Sequence, residues 1–197
     1  MKIIFATGNK GKVREVREKL KSLGIEIISL KELKTEIEPP KETGETFLEN
    51  AYQKAIYYAK HLKLPVIAED SGLVVEKLGG LPGVRSARFA GENATDEENN
   101  ALLIKKLKEM GLTESPAKYV SFFVLSYPES FGVWSKGEVK GKVTTKPRGS
   151  GGFGYDPLFI PEGYTKTMAE LSVEEKNKIS HRGKALEKFV RLLKDIL

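Results

Sequence analysis

The sequence predicts an α/β protein: a mixed β-sheet flanked by helices, arranged as two lobes with a cleft between them. Three observations lead there. Short apolar strands alternate with amphipathic helices in the N-terminal third of the chain. Two longer β-rich stretches, "KYVSFFVLSY" and "FGVWSKGEVKGKV", then follow each other with only Pro128 to Ser130 available for a turn. The chain closes on an amphipathic helix from Gly183 to Leu197. Strand–helix alternation favours parallel neighbours and a tight connection requires an antiparallel pair, so a sheet holding both is mixed.

The elements follow in order. "KIIFAT" is a short apolar strand. From Lys10 to Leu23 the apolar residues Val13, Val16, Leu20 and Leu23 recur at helical spacing, and Gly24 stands where a left-handed cap would end the helix. "IEIISL" is a second strand, and "KTEIEPPKETGE" a polar loop stiffened by Pro39 and Pro40. Thr46 and Glu49 form a capping box that opens a helix to about Lys63. Leu64 to Ala68 is apolar along its whole length, which predicts a strand buried on both faces, ending at Glu69 and Asp70 with a turn at Ser71 and Gly72. Thr95 with Glu98 starts a helix to Met110, and Ser172 with Glu175 caps a short one.

Composition narrows the function. The chain has 197 residues, 40% hydrophobic and 30% charged, as in soluble globular proteins. It has no apolar run of membrane-spanning length, and "IIFA" ahead of Thr7 and Gly8 is too short for a signal peptide, so a cytoplasmic protein is expected. Without cysteine there are no disulfides and no thiolate metal sites. The net charge of +6, from 33 Lys and Arg against 27 Asp and Glu, favours an anionic partner. The basic residues are dispersed among acidic ones, which suits a small anion such as a nucleotide better than a nucleic-acid surface.

Four stretches carry chemistry. In "FATGNKGKVREV", Gly8, Gly11 and Lys12 have neither the spacing nor the following Ser or Thr of a P-loop. A strand turning through glycine into a helix nevertheless presents free N–H groups at the positive end of the helix dipole, with Thr7, Asn9, Lys10 and Lys12 around it. The plainer reading is a turn with surface lysines. Its place at the carboxyl end of the first strand, where open α/β sheets bind ligands, favours the anion site.

In "LPVIAEDSGLVVE", the adjacent carboxylates Glu69 and Asp70 would repel each other and lose solvation at the end of a buried strand. A divalent cation relieves both costs, and Mg²⁺ takes one or two carboxylates plus phosphate oxygens. If this strand runs parallel to the first, the acids and the Thr7–Lys12 loop share one sheet edge. Glu38, Glu42 or Glu45 would supply a further acid, and Lys54 faces either solvent or the cleft.

"PRGSGGFGYDP" contains Gly149, Gly151 and Gly154 in literal dinucleotide-fingerprint spacing, but it leads through Asp156 and Pro157 into apolar "LFI" instead of opening a helix. It offers Phe153 or Tyr155 to stack on a flat ring, and Asp156 or exposed peptide groups to bond its edge. In "EKNKISHRGKA", Lys176, His181 and Arg182 place basic donors where a helix begins; on this stretch alone the default reading is a solvated charged turn.

Taken in order, "TGNKGK", "ETGETFLENA", "EDSGL", "LGGLPGVRSARF", "GGFGYDPLF" and "EEKNKISHR" resemble the inosine triphosphate pyrophosphatase family over nearly the whole chain. The resemblance implies hydrolysis of ITP, dITP and XTP to the monophosphate and pyrophosphate, with Mg²⁺ required. It implies an elongated mixed-sheet fold, residues 1–197 as a single two-lobed domain with the site in its cleft, and a homodimer. By motif position Thr7, Gly8, Asn9, Lys10, Gly11 and Lys12 would bind the triphosphate, Lys54 would contact phosphate and Ser71 would border the substrate. Asp70 would be the metal-linked catalytic acid or base, with Glu42 the second metal acid. Phe153, Gly154, Tyr155, Asp156, Lys176, His181 and Arg182 would form the nucleoside pocket. Two rivals are a Maf-like nucleotide pyrophosphatase, whose Ser-x-Ser-Pro-Arg-Arg-type loop is missing near the start, and a non-catalytic nucleotide- or nucleic-acid-binding module.

Overall fold

The computed structural model describes the backbone of residues 1–197 and every side chain except that of Phe131. Its strands are β1 (Lys2–Phe5), β2 (Glu26–Ser29), β3 (Val66–Val75), β4 (Glu114–Ser126), β5 (Phe131–Thr144) and β6 (Phe159–Pro161). The helices are α1 (Lys10–Leu20), α2 (Phe47–Leu62), α3 (Asp96–Glu109), α4 (Val173–Ile179) and α5 (His181–Ile196). The strands hydrogen-bond in the order β2-β1-β3-β4-β5-β6. β1 is parallel to β2 and to β3, whereas β5 and β6 are antiparallel. The few residues joining β4 to β5 are too few for a crossover, so that pair is antiparallel as well. The sheet is mixed, as expected.

Local chemistry explains the boundaries. Asn9 caps α1 by accepting from the Lys12 N–H, Thr46 caps α2 from Glu49, and Thr95 caps α3 from Glu98. Ser172 and Glu175 form a reciprocal capping box on α4. Gly24, at φ 69°, ends the 3₁₀ turn that follows α1.

Two boundaries differ from expectation. β3 does not turn at Ser71 and Gly72 but stays extended to Val75. Its sheet neighbour β4, an isolated bridge from Val74 to Pro82, β-branched Val74 and Val75, and a hydrogen bond from Leu73 N–H to Ser86 Oγ (2.9 Å) outweigh the local turn preference of Ser-Gly. α5 begins at His181, ahead of Gly183, because Ser180 Oγ accepts from the Gly183 N–H (3.2 Å) and acts as its N-cap. β6 and the 3₁₀ segment Gly83–Arg88 were not anticipated from pattern.

The chain divides into two compact units. The first comprises Met1–Asp70, Ser121–Gly137 and Lys184–Leu197. Its core lies on both sheet faces. Ile3, Phe5, Ile67, Phe123 and Leu125 pack against Val13, Val16 and Leu20 of α1 and Leu186, Phe189 and Leu193 of α5. Ile4, Ala6, Val66, Ala68 and Val124 pack against Ala51, Ala55, Tyr58 and Ala59 of α2. Along the part of β3 in this unit, odd positions therefore face α1 and α5, and even positions face α2.

The second unit comprises Ser71–Val120 and Glu138–Gly183. Leu73, Val75, Tyr119, Val139, Val143 and Phe159 pack there with Leu103 and Leu107 of α3 and with Tyr155, Leu158 and Met168. β6 lies so close to β5 that a Cβ on Gly141 would come within 2.2 Å of the Ile160 carbonyl oxygen, so only glycine fits.

Candidate active site

The first unit carries an anion-binding turn. β1 ends at Phe5, and Ala6 N–H still donates to the Ile67 carbonyl (2.8 Å), so the residues after Ala6 leave the sheet beside Glu69. Thr7 Oγ1 accepts from Asn9 N–H (3.2 Å), and Asn9 Oδ1 from Lys12 N–H (3.1 Å). Those bonds shape the turn and leave the Lys10 and Gly11 amides at the start of α1, where no intrahelical acceptor exists. Gly8, Asn9, Lys10 and Gly11 are exposed, and no acidic residue occupies the first turn of α1. A phosphate would therefore meet amides, lysines and the helix dipole, with no carboxylate in the turn itself.

Lys12 reaches across to β3. Its Nζ donates to Glu69 Oε2 (2.8 Å), while Ser121 Oγ donates to Glu69 Oε1 (3.1 Å). Glu69 is only 5% exposed, and these partners supply what burial takes away. Its role was not legible in the sequence: it holds the lysine of the turn. This corrects the expectation of one cation shared by the two adjacent acids. Glu69 follows Ile67 on the α1 face, and Asp70 follows Ala68 on the α2 face, so their side chains point to opposite sides of the sheet.

Asp70 meets a different acid. Burial, then the charge of Glu42, raise its carboxyl to about 7; Lys54 pulls the other way, Glu69 adds to the rise, and Asn50 lowers it slightly. Asp70 Oδ2 is buried with no hydrogen-bonding partner among the described residues, and so is Asn50 Nδ2. Lys54 settles its open question by facing these acids, with Nζ 3.3 Å from Glu42 Oε1 and 3.3 Å from the Glu69 carbonyl oxygen. Of Glu38, Glu42 and Glu45, it is Glu42 that joins Asp70.

The loop bearing Glu42 is fastened along α2. Tyr57 Oη donates to the Glu38 carbonyl (2.8 Å), Thr43 Oγ1 bonds Gln53 Oε1 (3.3 Å), and Gly44 N–H donates to Asn50 Oδ1 (2.7 Å). A Cβ at Gly44 would lie 2.6 Å from that oxygen and 2.8 Å from Glu49 Cβ, so the latch requires glycine. Among the described residues no cluster of three or more His, Asp or Glu side chains could hold a metal. Asp70 and Glu42 are the pair available to a hard cation that keeps other ligands of its own.

The second unit carries the aromatic and basic group. The glycine-rich run passes through turns into β6, not into a helix, so its fingerprint spacing is indeed coincidental. Phe153 is 58% exposed, with Lys176 Nζ 4.3 Å and Arg182 Cζ 6.0 Å from its ring centroid. Its backbone N–H donates to Asp156 Oδ2 (3.1 Å). His181 stacks on Tyr119 at 4.9 Å between centroids and 13° between planes.

Two expectations are corrected here. Tyr155 cannot stack on a ligand: it is buried in the core, and its hydroxyl donates to the Ser86 carbonyl (2.6 Å). Asp156, 4% exposed, is not free to read a base edge, because its carboxylate binds Lys176 Nζ, Tyr119 Oη (3.3 Å) and the Phe153 amide. Burial and the nearby Asp156 push the Tyr119 phenol up, so it stays protonated and donates. Gly154 is likewise bonded, to Asp96 and Asn100 of α3. Phe153, Lys176, His181 and Arg182 lie near one another, and Asp156 fixes the first two. Ser71 follows Asp70 in β3, half-buried.

The sequence profile of the Ham1 family matches residues 3–192. The chain is 50% identical to the dITP/XTP pyrophosphatase of Aquifex aeolicus, over 99% of this chain and 98% of that protein. It is 48% identical to the dITP/XTP pyrophosphatase of Thermus thermophilus, over 99% of this chain and 93% of that protein. The solved structure of the Staphylococcus aureus Ham1 protein superposes with a TM-score of 0.90 at 38% identity, covering 100% of both chains.

Proposed function

The chain belongs to the Ham1 family, and from that premise we propose that it hydrolyses non-standard purine nucleoside triphosphates, dITP, XTP and ITP, to the monophosphate and pyrophosphate. The observation that carries the chemistry is Asp70: a half-buried residue beside Glu42, with a buried carboxylate oxygen that no described residue satisfies. We read residues 1–197 as one pyrophosphatase domain made of the two units.

In this reading the Lys10 and Gly11 amides, Lys10, Lys12 and Lys54 take the triphosphate. Glu69 keeps Lys12 in place. Asp70 orients a water toward the α-phosphorus and accepts its proton; the new bond joins the water oxygen to that phosphorus, and the bond to the bridging oxygen breaks. The electron pair leaves on pyrophosphate, whose charge the lysines already offset.

Mg²⁺ fits the residues present. The unpartnered Asp70 Oδ2 and the repulsion between Asp70 and Glu42 are both relieved by a hard divalent cation. Asp70 and Glu42 would hold it, and when bound it supplies charge compensation for the phosphoanhydride.

On the base, Phe153 offers an exposed ring, and His181 and Arg182 offer donors to the oxygen at purine C6. Adenine carries an amino donor there, so ATP would set donor against donor. Sites that hydrogen-bond a substrate group reject analogues lacking it by ~10⁴-fold or more. A homodimer and a cytoplasmic location follow from the resemblance to inosine triphosphate pyrophosphatases. In addition, no helix among the described residues is long and apolar enough to cross a membrane.

The test is pyrophosphate release from dITP, XTP, ITP, ATP and GTP, with and without Mg²⁺. Metal-dependent release from the first three, with little from ATP, is expected. Equal turnover of ATP, or orthophosphate as the product, would refute the assignment.

A further inference from the structure

Gly154 of the aromatic turn is gripped from both sides by one helix. Asp96 Oδ2 accepts from its N–H at 2.8 Å, and Asn100 Nδ2 donates to its carbonyl at 3.1 Å. Asp96 and Asn100 stand one turn apart at the start of α3, so their side chains project together from one face. Gly154 has φ +58°, a left-handed conformation that the two bonds hold in place. The preceding Phe153 N–H is tied in turn to Asp156 Oδ2 at 3.1 Å. The backbone on either side of the exposed Phe153 ring is thus fastened at three points.

Asn100 adds an independent sign. Its Oδ1 is buried without a hydrogen-bonding partner among the described residues. An unsatisfied buried acceptor is a cost that an apolar residue of similar volume would avoid, so stability does not explain an asparagine here. The donor on the other branch of the amide does: only it meets the Gly154 carbonyl.

We propose that Asp96 and Asn100 are positioning residues for base recognition, forming a two-pronged clamp on Gly154 that presents the Phe153 ring to the purine. This rests on the function proposed above. The clamp touches no substrate atom and acts through Phe153. Loosening it lets the ring move, which weakens binding of the base and leaves the phosphate chemistry of the first unit unchanged.

Steady-state kinetics on dITP with the full chain tests this. Asp96→Ala and Asn100→Leu, each removing one bond to Gly154, should raise KM about ten-fold while kcat stays within about two-fold. Asp96→Asn, which keeps an acceptor oxygen, should remain near wild type. Asn100→Leu also removes the unpaired acceptor, so it should melt no lower than wild type. In a Phe153→Ala background, Asn100→Leu should cause no further rise in KM, because the ring it positions is gone.

An unchanged KM in folded Asn100→Leu would overturn the clamp, as would a rise of the same size with or without the Phe153 ring. Failure of wild type to release pyrophosphate from dITP or XTP would instead remove the activity, and the clamp with it. The wild-type control distinguishes the two.

Discussion

Lys12 donates to Glu69 Oε2 at 2.8 Å, joining the first turn of α1 to the residue just before Asp70 in β3. The Glu69 side chain is 2% exposed, and that lysine and Ser121 both bond its carboxylate. Position 69 serves twice: its carboxylate holds Lys12, and its carbonyl oxygen lies 3.3 Å from Lys54 Nζ. Two of the three lysines proposed for phosphate binding, Lys12 and Lys54, are placed by one residue.

Lys12→Met should therefore destabilise the fold as well as slow turnover. It takes the lysine partner from a buried carboxylate, a loss on the order of 2 kcal/mol given that Lys12 is partly exposed. Adding Glu69→Gln should restore most of the melting temperature and none of the activity. Thermal unfolding of the single and double variants, beside their rates, checks this; a double variant no more stable than Lys12→Met would show that the pair is not a stability element.

Asp70 sets a pH dependence of unusual sign. Burial and the Glu42 charge raise its carboxyl from 3.8 to about 7. Between those values the folded state holds the proton and the unfolded state does not, so stability falls as pH rises through that window and stays reduced above it. Asp70→Asn should match wild type near pH 4 and be more stable above pH 7, by at most on the order of 4 kcal/mol. Mg²⁺ should raise the melting temperature of wild type at pH 8 and that of Asp70→Asn far less. Parallel melting curves for the two proteins across this range would contradict the assignment.

Gly44 tests the Glu42 loop without touching a carboxylate. Gly44→Ala forces its Cβ against Asn50 and Glu49 and breaks the latch on α2. The Mg²⁺ concentration for half-maximal activity should rise about ten-fold or more, as when outer supports of metal ligands are lost. A Mg²⁺ titration of pyrophosphate release reads it, and an unshifted midpoint would dissociate Glu42 from the metal.

Base choice is expected to reside in the second unit. Arg182→Ala should lower the preference for ITP over ATP by at least about ten-fold, through kcat/KM. An unchanged ratio would mean that Arg182 does not read the C6 oxygen.

Much of this was legible in the sequence, for identifiable reasons. Capping residues and apolar spacing located α1 to α4 because those signals are local. Parallel pairing of β1 with β3, the condition on which the Thr7–Lys12 turn comes beside Glu69, is met in the structure. What stayed hidden was non-local. The Ser71-Gly72 pair reads as a turn, yet sheet pairing keeps it extended, and that extension sets Glu69 and Asp70 on opposite faces. Lys12 finds Glu69, Gly44 finds Asn50 and Gly154 finds Asp96 only once helices pack on strands or on turns. Tyr155 and Asp156 carried the right chemistry for a ligand, but the core and Lys176 claim them.

The measurement that reaches the centre of this account is the rate of pyrophosphate release from dITP by Asp70→Asn at saturating Mg²⁺. If Asp70 positions and deprotonates the attacking water, the variant should fold normally and turn over at least about 10³-fold more slowly than wild type. Turnover within ten-fold of wild type would contradict it.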